Sequence, residues 1–420
     1  MSKVTFAVCG MGNRGAVYAG QQLNFPEQMQ VTAMADAKPE RLEYANKYLH
    51  IPPEHIFQSA DEMFAQPKLA DIMIISTQDA QHKEHALKAL DLGYDLLLEK
   101  PISNKLEDIV TIANAAKRLG RKVIVCHVLR YTPFYRAVKR VLDEGKIGRV
   151  MSIEAAEHVG YYHYAHSYTR GNWHKEADSS PMILAKCSHD MDLIYWLAGE
   201  SCTKLTSFGT QTYYNKNNAP VNAAERCSDC PVDKCVFRAQ DFYLPRVPKW
   251  PTNVIHPEPT IENITELLNT SDYGRCVYKM DNDVVDHQTV NMVLGDHITA
   301  TFQMTGFANA DCRTIRILGT EGELIGNFQE KKLHYQRFGE ERQNVELEAP
   351  VTFKGHGGGD SGLIQNVLRY YRGEDFDSSS ITFIDRSVES HYMAFAAERS
   401  RCNDGAVVNM EDFKRSIGAE

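Results

Sequence analysis

Apolar and polar positions follow two different periods along the chain, and the change between them divides it. In the first third, short continuous runs of β-branched and aliphatic residues at 4–9, 29–35, 71–77, 94–98 and 122–128 read as strands buried on both faces. Between them, apolar residues recur three and four apart. Ala16, Ala19 and Leu23 predict one helix, Leu42, Ala45 and Tyr48 a second, and the stretches 80–92 and 105–119 two more. Ile56-Phe57 reads as a short extended piece, and Ser59, followed by Asp61 and Glu62, as a helix N-cap. Strands alternating with helices of this length build a doubly wound parallel sheet, whose ligands bind beyond the carboxyl ends of the strands.

After Gly148 the pattern becomes mostly period two. Residues 149–158 read as a strand, 181–197 as a helix, and long alternating segments at 204–213, 284–294, 298–304 and 314–318 as a largely antiparallel sheet, with helices near 362–371 and 388–398. The expectation is therefore an α/β chain of two domains: a nucleotide-binding unit over 1–128 and an α+β unit over 129–420 carrying a large open, mainly antiparallel sheet.

Composition narrows the partners. A net charge of −9, with no local run of Lys or Arg, argues against a nucleic-acid footprint. No apolar run approaches the roughly 20 residues of a membrane span, and the first strand leaves no room for a signal segment. A cytoplasmic protein with a small-molecule partner is expected, and its ten cysteines should be mainly thiols.

The candidate chemistry begins where the first strand ends. Gly10-Met11-Gly12-Asn13-Arg14-Gly15 is a GxGxxG turn between a strand and a helix, suited to a dinucleotide pyrophosphate. Asp36 closes the second run, where a carboxylate accepts from a ribose 2′-hydroxyl and repels a 2′-phosphate, favouring NAD over NADP. Lys38 and Arg41 lie close enough to soften that preference; the bland alternative is that Asp36 caps the following helix. Other strands end in Ser76-Thr77-Gln78-Asp79 with His82 and His85 beyond, in Glu99-Lys100-Pro101, and near His127 and Arg130.

GMGNRG at 10–15, STQDAQHKEHALKAL at 76–90, LLLEKPIS at 96–103 and Arg130-Tyr131-Thr132-Pro133 before Glu144-Gly145-Lys146-Ile147-Gly148 together resemble the Gfo/Idh/MocA oxidoreductases. The resemblance implies a Rossmann domain with Ser76, Thr77, Gln78, His82 and Glu99 beside the cofactor. It also implies Lys100 at the substrate hydroxyls, oriented by Glu99, with a cis Lys100–Pro101 bond, and His189 as the acid/base. The second domain would expose one sheet face as a dimer interface, giving a homodimer or homotetramer. There is one departure: inositol-dehydrogenase-like members carry an Asp one turn before the catalytic His, where this chain has Ala185, with Lys186 next. Lys186 and His189, three apart, are expected on one helical face, either as catalytic groups or as a core His beside a snorkelling Lys. Asp190 and Asp192 are expected at the helix surface or behind the site.

Two further clusters remain. Cys227, Cys230 and Cys235, with Cys276 as a fourth, have zinc-ligand spacing; an iron–sulfur cluster or plain thiols are the alternatives. Tyr161, Tyr162, His163, His166, Arg170, Trp173 and His174 could line a sugar site, with His127 and Arg130, or form a solvent loop. Asp286-His287 and His356-Gly357-Gly358-Gly359-Asp360 are similarly open, Asp360 being a candidate helix cap. The expected activity is NAD-dependent hydride transfer at a carbinol carbon of a sugar, cyclitol or glycoside. The alternatives are an NAD-dependent glycosidase working by transient oxidation and elimination, and a non-catalytic NAD-binding sensor.

Overall fold

The computed structural model describes residues 2–352 and 355–419. Six parallel strands, β1 (Val4–Cys9), β2 (Met29–Ala35), β3 (Ile56–Phe57), β4 (Ile72–Ile75), β5 (Asp95–Leu98) and β6 (Val123–Val125), form one sheet in the order β3-β2-β1-β4-β5-β6. The winding direction reverses between β1 and β4, which opens a crevice at their carboxyl ends. Each strand is apolar on both faces because both are covered. Ala7, Cys9, Met73 and Ile75 belong to one core, while Phe6, Val8, Ile72 and Ile74 belong to another.

That second core is completed from far along the chain. The helix Gly359–Tyr371 contributes Leu363, Ile364, Val367 and Leu368 to it, and the Val125 amide donates to the Thr382 carbonyl at 2.8 Å at the β6 edge. Residues near the C-terminus are thus built into the cover of the first sheet.

The second sheet holds β7 (Val150–Gly160), β8 (Cys202–Thr210), β9 (His287–Leu294), β10 (Ile298–Ala308), β11 (Cys312–Gly319), β12 (Gly322–Asn327), β13 (Lys332–Arg337), β14 (Gln343–Asn344) and β15 (Val408–Asn409). Their order is β14-β13-β12-β11-β7-β10-β9-β8-β15, antiparallel except where β7 runs alongside β10. Alternation in β10 buries Ile298, Ala300, Phe302 and Met304 and leaves Thr299, Thr301 and Gln303 exposed. The helices Ser188–Ala198 and Ile384–Arg401 pack on the buried side.

One expectation needs correction, and two open alternatives are decided. The continuous helix over 181–197 is two helices, Met182–Ala185 and Ser188–Ala198, parted at Lys186 and Cys187. The Ala185 carbonyl, where a continuing helix would bond, instead accepts from the Lys100 ammonium at 2.8 Å, a contact from 85 positions away. Asp190 and Asp192 are buried rather than at the surface, each paired with an arginine. The stretch after β7 is no solvent loop: Tyr161–Tyr164 and Ala165–Arg170 form successive helical turns, the second entirely buried.

Candidate active site

The glycines of the first turn divide by what surrounds them. Gly10 has a positive φ of 95°, and a Cβ there would stand 2.7 Å from the Ser76 carbonyl oxygen; at Gly15 it would stand 2.0 Å from that of Gly10. These two close the turn against the chain itself. Gly12 differs: its nearest neighbour would be Arg41 Nη1 at 3.6 Å, so a ligand backbone can approach there unhindered. Ser76 Oγ donates to the Gly10 carbonyl at 2.8 Å and fixes the turn to the end of β4. Met11 is buried and Asn13 exposed. Asp36, largely buried at the end of β2, accepts from the Lys38 amide at 2.9 Å, with Arg41 Nη1 3.4 Å away. The N-cap of the next helix is Lys38, and no side-chain cap is made.

Arg14 turns inward. Its Nε donates to Glu99 Oε1 at 2.7 Å and its Nη2 to Asp360 Oδ1 at 2.6 Å, while Tyr18 donates to Glu99 Oε1 at 2.7 Å. Burial alone would raise both carboxyls; the Arg14 charge overrides it and holds Glu99 and Asp360 below the usual carboxylate range. Glu99 Oε2 accepts the Lys100 backbone amide at 2.8 Å, so Glu99 positions Lys100 through the main chain. The Lys100–Pro101 bond is cis. His82 braces the same loop, with Nδ1 2.8 Å from the Pro101 carbonyl and Nε2 3.2 Å from that of Thr77. Gln78 caps the turn after β4.

Around the Lys100 side chain stand groups from both domains. Burial lowers the Lys100 ammonium below its ordinary range, opposed by Glu99 and Asp79 and assisted by Lys186. His189 is buried, with its ring centroid 5.8 Å from that of His127 and 6.0 Å from that of His356; His127 in turn lies 5.5 Å from His391. Burial, reinforced by neighbouring cations, pushes His127 and His189 well below their ordinary value, so both are neutral imidazoles at neutral pH. Nδ1 of His189 is enclosed with no hydrogen-bond partner among the described residues.

The break in the 181–197 helix separates Lys186 from His189. Lys186 Nζ pairs with Glu157 Oε1 at 3.3 Å. Behind it, Arg313 binds both Glu157 Oε2 at 2.7 Å and Asp190 Oδ1 at 2.8 Å. His163 Nδ1 lies 2.9 Å from Asp311, whose carboxyl also feels Lys186. Lys186 thus belongs to a charged wall, and His189 to a cluster of imidazoles.

Other expected residues have different surroundings. Arg130 is buried and directs Nε and Nη2 to the two oxygens of Asp192 at 2.7 and 2.6 Å. Arg170 donates to the carbonyls of Arg275 and Phe237 at 2.8 and 2.7 Å. Tyr161 packs against Tyr162 and Phe237, and Trp173 against Tyr168. Asp286 accepts the amides of Thr212 and Tyr213. Cys227, Cys230, Cys235 and Cys276 line one small cavity and all are free, but among the described residues no group of three or more His, Cys, Asp or Glu side chains is arranged to hold a metal. The zinc expectation finds no support there. Arg170 lines the same cavity, with its Nη2 3.5 Å from Cys227 Sγ.

Sequence reasoning passed over Tyr18, Glu157, Arg313 and His391. None sits in a motif, and each is recognisable only through partners distant in sequence.

Comparison with known proteins agrees with this architecture. Residues 4–127 match the model of the oxidoreductase family's NAD-binding Rossmann fold, and residues 139–382 match that of its C-terminal alpha/beta domain. The oxidoreductase YteT of Bacillus subtilis is 25% identical over 390 residues, covering 88% of this chain and 89% of its own. Inositol 2-dehydrogenase 2 of Saccharopolyspora erythraea is 26% identical over 211 residues, covering 49% of this chain and 56% of its own. The chain thus spans about half the length of that dehydrogenase. Among solved structures, an oxidoreductase from Agrobacterium radiobacter in complex with NAD+, L-tartaric acid and magnesium superposes with a TM-score of 0.70 at 15% identity, covering 98% of this chain and 99% of its own. An inositol dehydrogenase homologue from Azotobacter vinelandii complexed with NAD+ gives 0.69 at 14% identity, with 97% of each chain covered.

Proposed function

The chain belongs to the Gfo/Idh/MocA oxidoreductase family, and from that premise we propose that it transfers a hydride between NAD(H) and a carbinol carbon of a sugar, cyclitol or glycoside. The carrying observation is the approach of half-buried Lys100, from the end of β5, to buried His189, from the first turn of Ser188–Ala198, near enough at the carboxyl edge of the first sheet for the lysine charge to depress the imidazole. The Gly10–Gly15 turn and Asp36 would hold the dinucleotide, Gly12 offering the open approach and Asp36 the ribose contact. Bound NAD supplies the hydride acceptor at its nicotinamide.

The protein's own residues handle the oxygen and its proton. Lys100 has one fixed acceptor, the Ala185 carbonyl, and retains donors to orient a substrate hydroxyl. His189, kept neutral by burial, takes the hydroxyl proton as the carbonyl forms and returns it in the reverse direction. Lys186 with Glu157, and His163 with Asp311, supply donors and acceptors for ring hydroxyls. The exposed polar face of the second sheet supports pairing of two copies of the chain, and a cytoplasmic location accords with its free thiols. No helix among the described residues is long and apolar enough to cross a membrane.

Incubating the purified protein with NAD+ and a panel of inositols, aldoses and glycosides tests the reading. Reduced nicotinamide should appear in step with one oxidised product, and a panel giving none with NAD+ or NADP+ would overturn it.

A further inference from the structure

The loop before Gly359–Tyr371 places one more imidazole beside His189. Gly355, His356, Gly357 and Gly358 all have positive φ, at 66°, 38°, 62° and 97°. For the glycines this conformation is easy; for His356 it is held by its surroundings. A Cβ at Gly355 would stand 2.0 Å from Asp360 Oδ2, and one at Gly357 2.8 Å from the Phe328 ring. The backbone is wrapped round Asp360 and pressed on Phe328, and His356 is set at one place as a result.

His356 Nδ1 lies 3.3 Å from both oxygens of Asp360 and 3.4 Å from Arg14 Nη1. Arg14 spends its short bonds on Asp360 and Glu99, and Asp360 is kept ionised by that guanidinium, so the Nδ1–H donates to the carboxylate. Among the described residues every polar contact of His356 runs through Nδ1, which leaves Nε2 as the accepting nitrogen. The side chain is 37% exposed, against 5% for His189 as a residue. Asp360 is therefore no helix cap: it joins the dinucleotide turn, through Arg14, to an imidazole that reaches both solvent and the buried site.

We propose that His356 is a proton-relay residue, oriented by Asp360, that carries the proton between the enclosed His189 and water. This rests on the reading of His189 as the acid/base. In the oxidative direction an N–H bond of the His189 imidazolium breaks and a bond from that proton to His356 Nε2 forms, directly or through one water across the 6.0 Å between ring centroids. His356 then loses a proton to water or a buffer base and returns to its neutral tautomer. No electrons change hands in this step. Among the described residues, the charged and titratable groups facing His356 are Asp360 on its own segment, Arg14 from the dinucleotide turn and His189 from the second domain.

Two measurements test this. The first needs no substrate: diethylpyrocarbonate attacks neutral imidazole nitrogen, and peptide mass spectrometry should find His356 modified well before His127, His189 and His391. Asp360→Asn should slow that modification several-fold. An unreactive His356, or an unchanged rate in the variant, would overturn the dyad. The second uses His356→Asn, a residue that tolerates positive φ, with the polyol found to reduce NAD+. At low buffer concentration kcat should fall on the order of 100-fold, with KM nearly unchanged, and added imidazole should restore most of it. Unchanged kcat, or a loss that imidazole does not relieve, would overturn the relay. If no polyol reduces NAD+, the functional reading fails while the modification experiment still decides the dyad.

Discussion

The Lys100 ammonium donates to the Ala185 carbonyl at 2.8 Å, a single bond that joins the end of β5 to the second domain and ends the helix Met182–Ala185. Ala185 is where inositol-dehydrogenase-like chains were expected to carry an Asp. Here a main-chain oxygen faces the lysine, so Lys100 is held by a dipole rather than a full negative charge. Burial then lowers its proton affinity with less opposition than a carboxylate in contact would supply.

Lys100→Met removes the ammonium while keeping most of the side-chain volume. We expect kcat to fall about 10²- to 10⁴-fold, with NAD affinity, measured by fluorescence titration, changed by no more than a few-fold. A matching loss of NAD affinity would mean that Lys100 serves the cofactor instead of the substrate oxygen.

Asp36 governs the choice of dinucleotide. Asp36→Ser removes the charge that opposes a 2′-phosphate and frees Arg41, now 3.4 Å from the carboxylate, to bind one. The ratio of NADP+ to NAD+ affinity should rise at least about tenfold, equivalent to roughly 1.4 kcal/mol. A ratio that stays put would place the ribose elsewhere.

Arg14 separates two buried carboxylates. Arg14→Leu leaves Glu99 and Asp360 without their shared cation, and the cost of uncovering such a pair is about 3–5 kcal/mol. The urea midpoint should fall accordingly, and Arg14→Leu combined with Glu99→Gln and Asp360→Asn should recover part of the loss. Equal midpoints in wild type and the single variant would contradict the network.

The imidazole cluster makes stability depend on pH with a definite sign. Burial depresses His127 and His189 well below their ordinary value and brings His391 down to about 3. Above the unfolded value of about 6.5 all are neutral in both states and their contribution is complete. As pH falls below it, the unfolded chain takes up protons that the folded chain refuses. Stability should drop by about 1.4 kcal/mol per pH unit for each such histidine. Urea midpoints at neutral and mildly acid pH check this, and a flat profile would show that the cluster is solvated.

What could be read from the sequence follows from how local each cause is. Strands β1, β2, β4 and β5 and the glycine turn are set by neighbours in the chain, and Ser59 caps its helix by accepting from the Glu62 amide as its spacing suggests. The break at Lys186 was hidden because its cause, Lys100, lies far away in the chain. The same holds for Arg14 and Asp360, separated by 346 positions, and for Arg130, which as a basic residue near a strand end suggested substrate but is consumed by Asp192. The cysteine spacing was compatible with metal, yet spacing does not report that an arginine enters the same cavity.

The central claim is that one dinucleotide lies across the Gly12 turn with its nicotinamide facing Lys100 and His189. A crystal structure with NAD+ and an oxidisable polyol tests it most directly. The account predicts the pyrophosphate against Gly12, the adenosine ribose on Asp36, and the carbinol carbon about 3–3.5 Å from the nicotinamide ring, its oxygen within hydrogen-bond reach of Lys100 and His189. A dinucleotide bound elsewhere, or a polyol oxygen held by neither Lys100 nor His189, would contradict it.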